Sequence, residues 1–169
     1  MRPLLIVDGY NVIGAWKDAE KHQWSMDEAR DRLRHMLEDY SGYSGEEIVL
    51  VFDGYMSDRR LSTEERYGAV TVVFTKHAET ADSYIERLTA RTPRYRTVRV
   101  ATSDGLEQSQ VLSTGATRLT ARELLRELRE TRSRGFVENK TQPLTGSGRL
   151  MARIPEDILE TLEDIRRGG

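Results

Sequence analysis

The sequence predicts an α/β fold in which a mostly parallel sheet is flanked by helices on both faces. Three features of the 169-residue chain carry that expectation. Short apolar runs recur, and several are continuous rather than alternating, as in strands buried on both faces. Segments with helical spacing of apolar residues separate them. Three of the runs lead into an aspartate followed by glycine: Asp8-Gly9, Asp53-Gly54 and Asp104-Gly105.

Residues 4–7 (LLIV) form the first expected strand, and a polar stretch containing Trp16 and Trp24 follows. Ser25 and Glu28 make a capping box, with Ala29, Leu33, Met36, Leu37 and Tyr40 behind it at helical spacing, so a helix should run from Ser25 to about Gly42. Residues 47–52 (EIVLVF) are the second strand. Residues 55–68 are polar, hold Arg59, Arg60 and Arg66, and are expected to be a long loop with at most a helical turn. Residues 69–74 make the third strand, and Thr80 caps a helix carrying Ala81, Tyr84, Ile85 and Leu88. The fourth strand spans 97–101, and a helix through Val111 and Leu112 follows. A short edge strand is expected at 116–119. A second capping box, Thr120 with Glu123, opens a helix with Leu124, Leu125 and Leu128. Residues 135–153, rich in Gly, Pro, Thr and Ser, are expected to be an exposed arm, and Pro155 starts a terminal helix with Ile158, Leu159, Leu162 and Ile165 on one stripe.

Composition narrows the chemistry. The chain has no cysteine, which excludes disulfides, thiolate catalysis and cysteine-based zinc sites. No apolar run is long enough to span a membrane, and residues 4–7 are too short and too soon followed by an acid to be a secretory leader, so a cytoplasmic protein is expected. The net charge of −2 conceals an asymmetry: residues 1–86 carry −7, residues 87–153 carry +8 and the remainder −3. An acidic half joined to an arginine-rich half suits either solvated helix faces or an acidic site beside a surface for polyanions.

In open parallel sheets, ligands bind beyond the carboxyl ends of the strands. Asp8, Asp53 and Asp104 would meet at that edge, and Asp82, at the start of the helix after the third strand, would lie on the same side. A single Asp-Gly pair is most simply a turn. Several at corresponding positions gather mutually repelling charges, which a hard divalent cation would offset. Mg²⁺ with carboxylate ligands can activate water and stabilise charge on a phosphodiester during in-line displacement. Asn11 and Ser103 could hold a carboxylate or a phosphate, whereas Thr102 is expected only to shape the turn. There is no glycine-rich dinucleotide motif, no P-loop and no arguable Ser-His-Asp triad. His22, His35 and His77 are scattered; Glu86, one turn beyond Asp82, either extends the acidic pocket or is an ordinary exposed helix charge, and Glu79 is expected outside the helix.

The segments LLIVDGYNVIGAW, IVLVFDGY, VVFTKHAETADSYIERL and VATSDGLEQ, in that order, resemble the YacP-like branch of the NYN domain family, within the PIN-like nuclease superfamily. The resemblance covers roughly residues 3–135 as a nuclease domain, with 136–169 similar to that family's C-terminal extension. It implies a PIN-like three-layer sandwich and a metal-dependent endoribonuclease using Mg²⁺ or Mn²⁺. Carried over by position, it implies that Asp8, Asp82 and Asp104 hold metal and that Asn11 and Asp53 complete the catalytic set. It also implies RNA rather than DNA as the partner, specifically mRNA cut on the ribosome. Arg59, Arg60, Arg132, Arg134 and Lys140 are the expected phosphate contacts, while Arg122, Arg126 and Arg129 are expected to form a solvated helix face. The alternative is a non-catalytic RNA- or ribosome-binding module of the same fold.

Overall fold

A computed structural model describes residues 1–54, 58, 60–102 and 115–141, with residues 133–141 described by backbone alone. The expected α/β architecture is present. Six strands, β1 (Leu4–Asp8), β2 (Glu47–Phe52), β3 (Thr63–Tyr67), β4 (Val70–Phe74), β5 (Val98–Ala101) and β6 (Thr117–Leu119), form one sheet in the order β3-β4-β2-β1-β5-β6. Every pairing is parallel except β3 with β4. Five helices accompany it among the described residues: α1 (Gly9–Ala15), α2 (Lys17–Lys21), α3 (Met26–Ser44), α4 (Ala81–Arg91) and α5 (Ala121–Thr141).

The period-two alternation of the strands splits the core between the two faces. Leu5, Val7, Leu50 and Phe52 point to one side, where α1, α3 and α5 cover them with Val12, Leu33, Leu37, Leu124 and Leu128. Leu4, Ile6, Val51 and Val73 point to the other, against Ala81, Tyr84 and Ile85 of α4. β1 lies between β2 and β5, and its first four residues are buried; the strand can therefore be apolar on both faces until Asp8.

The polar stretch after β1, to which the sequence assigned no element, is helical: α1 begins at Gly9, and a second short helix, α2, follows. Three expectations are corrected. The helix expected to stop near Gly42 continues to Ser44, where Gly45 takes the left-handed conformation (φ 77°) and its N–H donates to the Ser41 carbonyl. Burial of Tyr40 and Ser41 keeps that last turn packed, so the first glycine in the sequence is not the stop. The 55–68 loop contains β3, whose sequence TEERY offers no apolar alternation because it is an exposed edge strand; its charges suit an edge. Finally, α5 runs to Thr141, so the arm expected from residue 135 does not begin there. The expected helix through Val111 and the terminal helix after Pro155 lie outside the described residues.

A partly buried ionic cluster ties α5 to the sheet. Arg99 on β5 reaches Glu46 with two nitrogens (2.7 and 3.2 Å), and its third contacts Glu127 of α5 (3.1 Å). Tyr40 of α3 accepts from Arg99 (2.8 Å) and donates to Glu127 (2.8 Å). Burial and the Glu127 acceptor push the Tyr40 hydroxyl well above its ordinary range.

Candidate active site

β1 ends on Asp8, which is extended (φ −79°, ψ 98°) and sits at the N-cap of α1. Its carboxyl is mostly buried and titrates at about 6, pushed up first by burial and then by the negative charges of Asp82 and Asp53. The Thr102 hydroxyl, from the end of β5, donates to it and draws the value back. The Asn11 backbone N–H acts in the same direction, although it does not close a capping hydrogen bond. Thr102, expected only to shape a turn, thus bears directly on Asp8.

Two further acids arrive from the neighbouring strands. Asp53 follows β2 and is exposed; its Oδ2 lies 3.4 Å from the Ala81 N–H at the first turn of α4. Asp82 is the next residue in that turn, half-buried, behind the Thr80 cap whose hydroxyl accepts from the Ser83 N–H. Thr75, fully buried, ties the two segments together. Its N–H donates to the Phe52 carbonyl (3.0 Å), its hydroxyl accepts from the Gly54 N–H (2.6 Å), and the same hydroxyl donates to the Glu79 carbonyl (2.7 Å). One side chain therefore sets the end of β2 against the loop that leads to Asp82. The signal for Thr75 was available in the sequence, as a polar residue closing an apolar strand, but a threonine there also reads as an ordinary strand end.

Behind Asp8 stands an aromatic wall. Tyr10 and Phe52 lie 5.0 Å apart, and Phe52 stacks on Phe74 at 5.3 Å. Arg30 of α3 spans them: its guanidinium lies 6.0 Å from the Phe52 ring and 5.8 Å from that of Phe74, donates to the Tyr10 hydroxyl (3.0 Å) and pairs with Asp27. Glu79 is bound by Arg87 (2.9 Å), Glu86 is exposed on α4, and His77 is exposed in the preceding loop.

The expected site residues distribute as follows. Asp8, Asp53 and Asp82 are electrostatically coupled at one end of the sheet, with Asn11 beside them on α1. Asp104 and Ser103 lie outside the described residues, as does Arg59. Among the described residues, no group of three or more acidic or histidine side chains stands ready to hold a metal ion. Arg60 is exposed in the segment between β2 and β3, at the acidic end of the sheet, since β3 starts opposite Phe74. Arg132 lies about three turns along α5, remote from that end, and the side chains of Arg134 and Lys140 lie outside the described residues. Sequence reasoning passed over Arg118 and took Arg122 only as part of a solvated helix face. Together with Tyr10, Asn11, Thr102 and Thr120 they line an open groove beside Asp8.

The model of the YacP-like NYN domain family matches residues 5–167. YacP of Bacillus subtilis (strain 168) is 38% identical over 172 aligned residues, covering 98% of this chain and 97% of that protein. Two crystal structures of Rae1 (YacP) from Bacillus subtilis superpose with TM-scores of 0.68 and 0.69, the second being of a point mutant. They are 37% and 36% identical and cover 99% and 98% of this chain and 96% of theirs.

Proposed function

Because the chain belongs to the YacP-like NYN domain family, whose PIN-like fold is of nuclease type and RNA-related, we propose that it is a divalent-metal-dependent endoribonuclease. We further propose that its substrate is mRNA on the ribosome. The observation that carries the reading is the coupling of Asp8 to Asp82 and Asp53 at the carboxyl edge of the sheet, strong enough with burial to hold Asp8 near a pKa of about 6. Such a set is costly without a compensating cation, and hard carboxylate oxygens suit Mg²⁺ or Mn²⁺. Asp8 and Asp82 would hold the ion, together with Asp104; Asp53 would add negative charge and restrain the start of α4.

When bound, such an ion supplies positive charge to the scissile phosphate and polarises the attacking water. The chain's own residues do the rest. The Thr102 hydroxyl orients the Asp8 carboxylate. Thr75 holds Asp53 and the Asp82 turn at a fixed separation. Asn11 presents an amide toward the groove, where a phosphate oxygen could accept from it. One carboxylate of the set that does not hold the ion could accept a proton from the attacking water. The second reading is RNA or ribosome binding by the same surface without cleavage.

The two readings separate in one assay. Labelled single-stranded RNA is incubated with protein stripped of divalent ions and then given Mn²⁺ or Mg²⁺, in parallel with mRNA on translating ribosomes. Cleavage by wild type and none by a folded Asp82→Asn is the expected result. Salt-sensitive binding with no turnover on either substrate would replace the nuclease by the binding module.

A further inference from the structure

Beyond the acids, the least explained feature is a line of cations on the face they border. The groove beside Asp8 holds about 580 Å³ and is lined by Tyr10, Asn11, Thr102, Arg118, Thr120 and Arg122 among others. It shares Ala15 and Arg122 with a narrower groove of about 200 Å³, which runs between α2 and α5 past Lys17, Arg126 and Arg129. Arg122, Arg126 and Arg129 follow one another at spacings of four and three, so they occupy one stripe of α5 that extends about 10 Å.

Their charge is not spent internally. Among the described residues, no carboxylate pairs with Lys17, Arg122, Arg126 or Arg129. The described acids of α5 lie elsewhere: Glu127 is held by Arg99 and Tyr40, Glu123 accepts from the Thr120 hydroxyl (2.9 Å), and Glu130 is exposed and pairs with none of the three arginines. One acid, Asp18, lines the narrow groove and is buried in its wall.

We propose that these joined grooves are a track for the phosphate backbone of single-stranded RNA. The strand would lie along α5 on Arg129, Arg126 and Arg122 and enter the acidic end past Arg118, Asn11 and Thr102. This rests on the nuclease reading for its direction, since a chain laid on the track reaches Asp8. An acidic protein would gain equally from the cations but would have no reason to continue into a carboxylate site.

The test uses the full chain freed of divalent ions, so that binding is read without cutting. A fluorescent 12-nucleotide RNA is titrated by anisotropy over a salt series. The triple variant Arg122→Gln/Arg126→Gln/Arg129→Gln, in which glutamine retains helix propensity, should bind at least about tenfold more weakly. Its salt slope should be smaller by about 2, for three lost phosphate contacts on a single strand. Arg126→Glu alone should show a smaller loss of the same kind. A charge-matched control, Arg66→Gln/Arg91→Gln/Arg94→Gln, at exposed positions away from the grooves, should bind as wild type does. Unchanged affinity in the triple variant, or equal loss in the control, overturns the track. Equal displacement of RNA by a polyaspartate peptide of matched charge assigns the surface to a protein partner and overturns it as well. A wild type that binds with this arginine dependence yet cuts nothing upholds the track and removes the nuclease reading; cutting with unaltered affinity in the triple variant does the reverse.

Discussion

Gly9 lies against the ring of Phe52 so closely that a Cβ at position 9 would stand 2.6 Å from Cδ1 and nearer still to Cε1. This contact explains the residue after Asp8. Gly9 is not a turn residue, as the Asp-Gly pair suggests, because it begins α1 with helical backbone. It is the position where the helix following β1 passes under the strand-end aromatic of β2. Phe52 is buried among Tyr10, Phe74 and Arg30 and has little room to yield. Gly9→Ala should therefore cost about 1–3 kcal/mol by overpacking and shift Asp8 relative to Asp53. Urea unfolding and RNA cleavage measure the two effects; a variant as stable and as active as wild type would contradict the contact.

Thr75→Val tests how the acids are positioned. The substitution keeps the shape and removes a hydroxyl that accepts from Gly54 and donates to Glu79. Each abandoned buried partner costs about 1–3 kcal/mol, so the loss of stability should reach a few kcal/mol. If Thr75 only stabilises the fold, cleavage should be normal at temperatures where the variant is folded. If it sets the separation of Asp53 and Asp82, kcat should fall in the folded variant with little change in RNA affinity.

The titration of Asp8 gives a pH signature. Its ordinary value is 3.8 and its folded value about 6. Below pH 3.8 the carboxyl is protonated in both the folded and unfolded chain. Between the two values the unfolded chain ionises first, so stability falls as pH rises; above 6 the fold carries the full cost of the buried charge. Asp8→Asn should therefore be more stable than wild type at pH 7.5 without divalent ions, by about 3 kcal/mol, and the difference should shrink toward pH 4. Denaturant unfolding at the two pH values, with chelator, checks this. A pH-independent difference would mean that Asp8 is not held in the environment described.

Arg99 should be essential to stability though remote from the chemistry. Removing it leaves Glu46 and Glu127 as partly buried carboxylates without their shared cation. Arg99→Met is expected to cost about 2–4 kcal/mol. Thermal unfolding reads the loss, and mutating Glu46 and Glu127 to glutamine in the same chain should restore part of it.

Much of this molecule is written in local patterns. The apolar runs, the Ser25, Thr80 and Thr120 caps and the strand-end Asp8 and Asp53 fall where spacing and capping chemistry place them. The departures share a cause, which is that tertiary contact decided them. β3 has no apolar face because it lies at an exposed edge, and α1 carries glycine at its first position because Phe52 needs the space. Arg99, Tyr40, Glu46 and Glu127 are far apart in sequence, so nothing local announces that they form one cluster. The same holds for Thr75 and Thr102, whose roles depend on partners 21 residues away at Gly54 and far back in the chain at Asp8. Arg122 and Arg126 are exposed, as a solvated face requires, and the groove beside them exists only because α1 and α2 pack against α5, which no local pattern announces.

The account stands or falls on whether the acids at this sheet edge cut RNA. The most direct measurement is sequencing of mRNA ends from translating ribosomes supplied with wild type or Asp8→Asn, each verified as folded. New ends at defined positions with wild type, absent with Asp8→Asn, are the predicted result. The same ends produced by both proteins, or by neither, would contradict it.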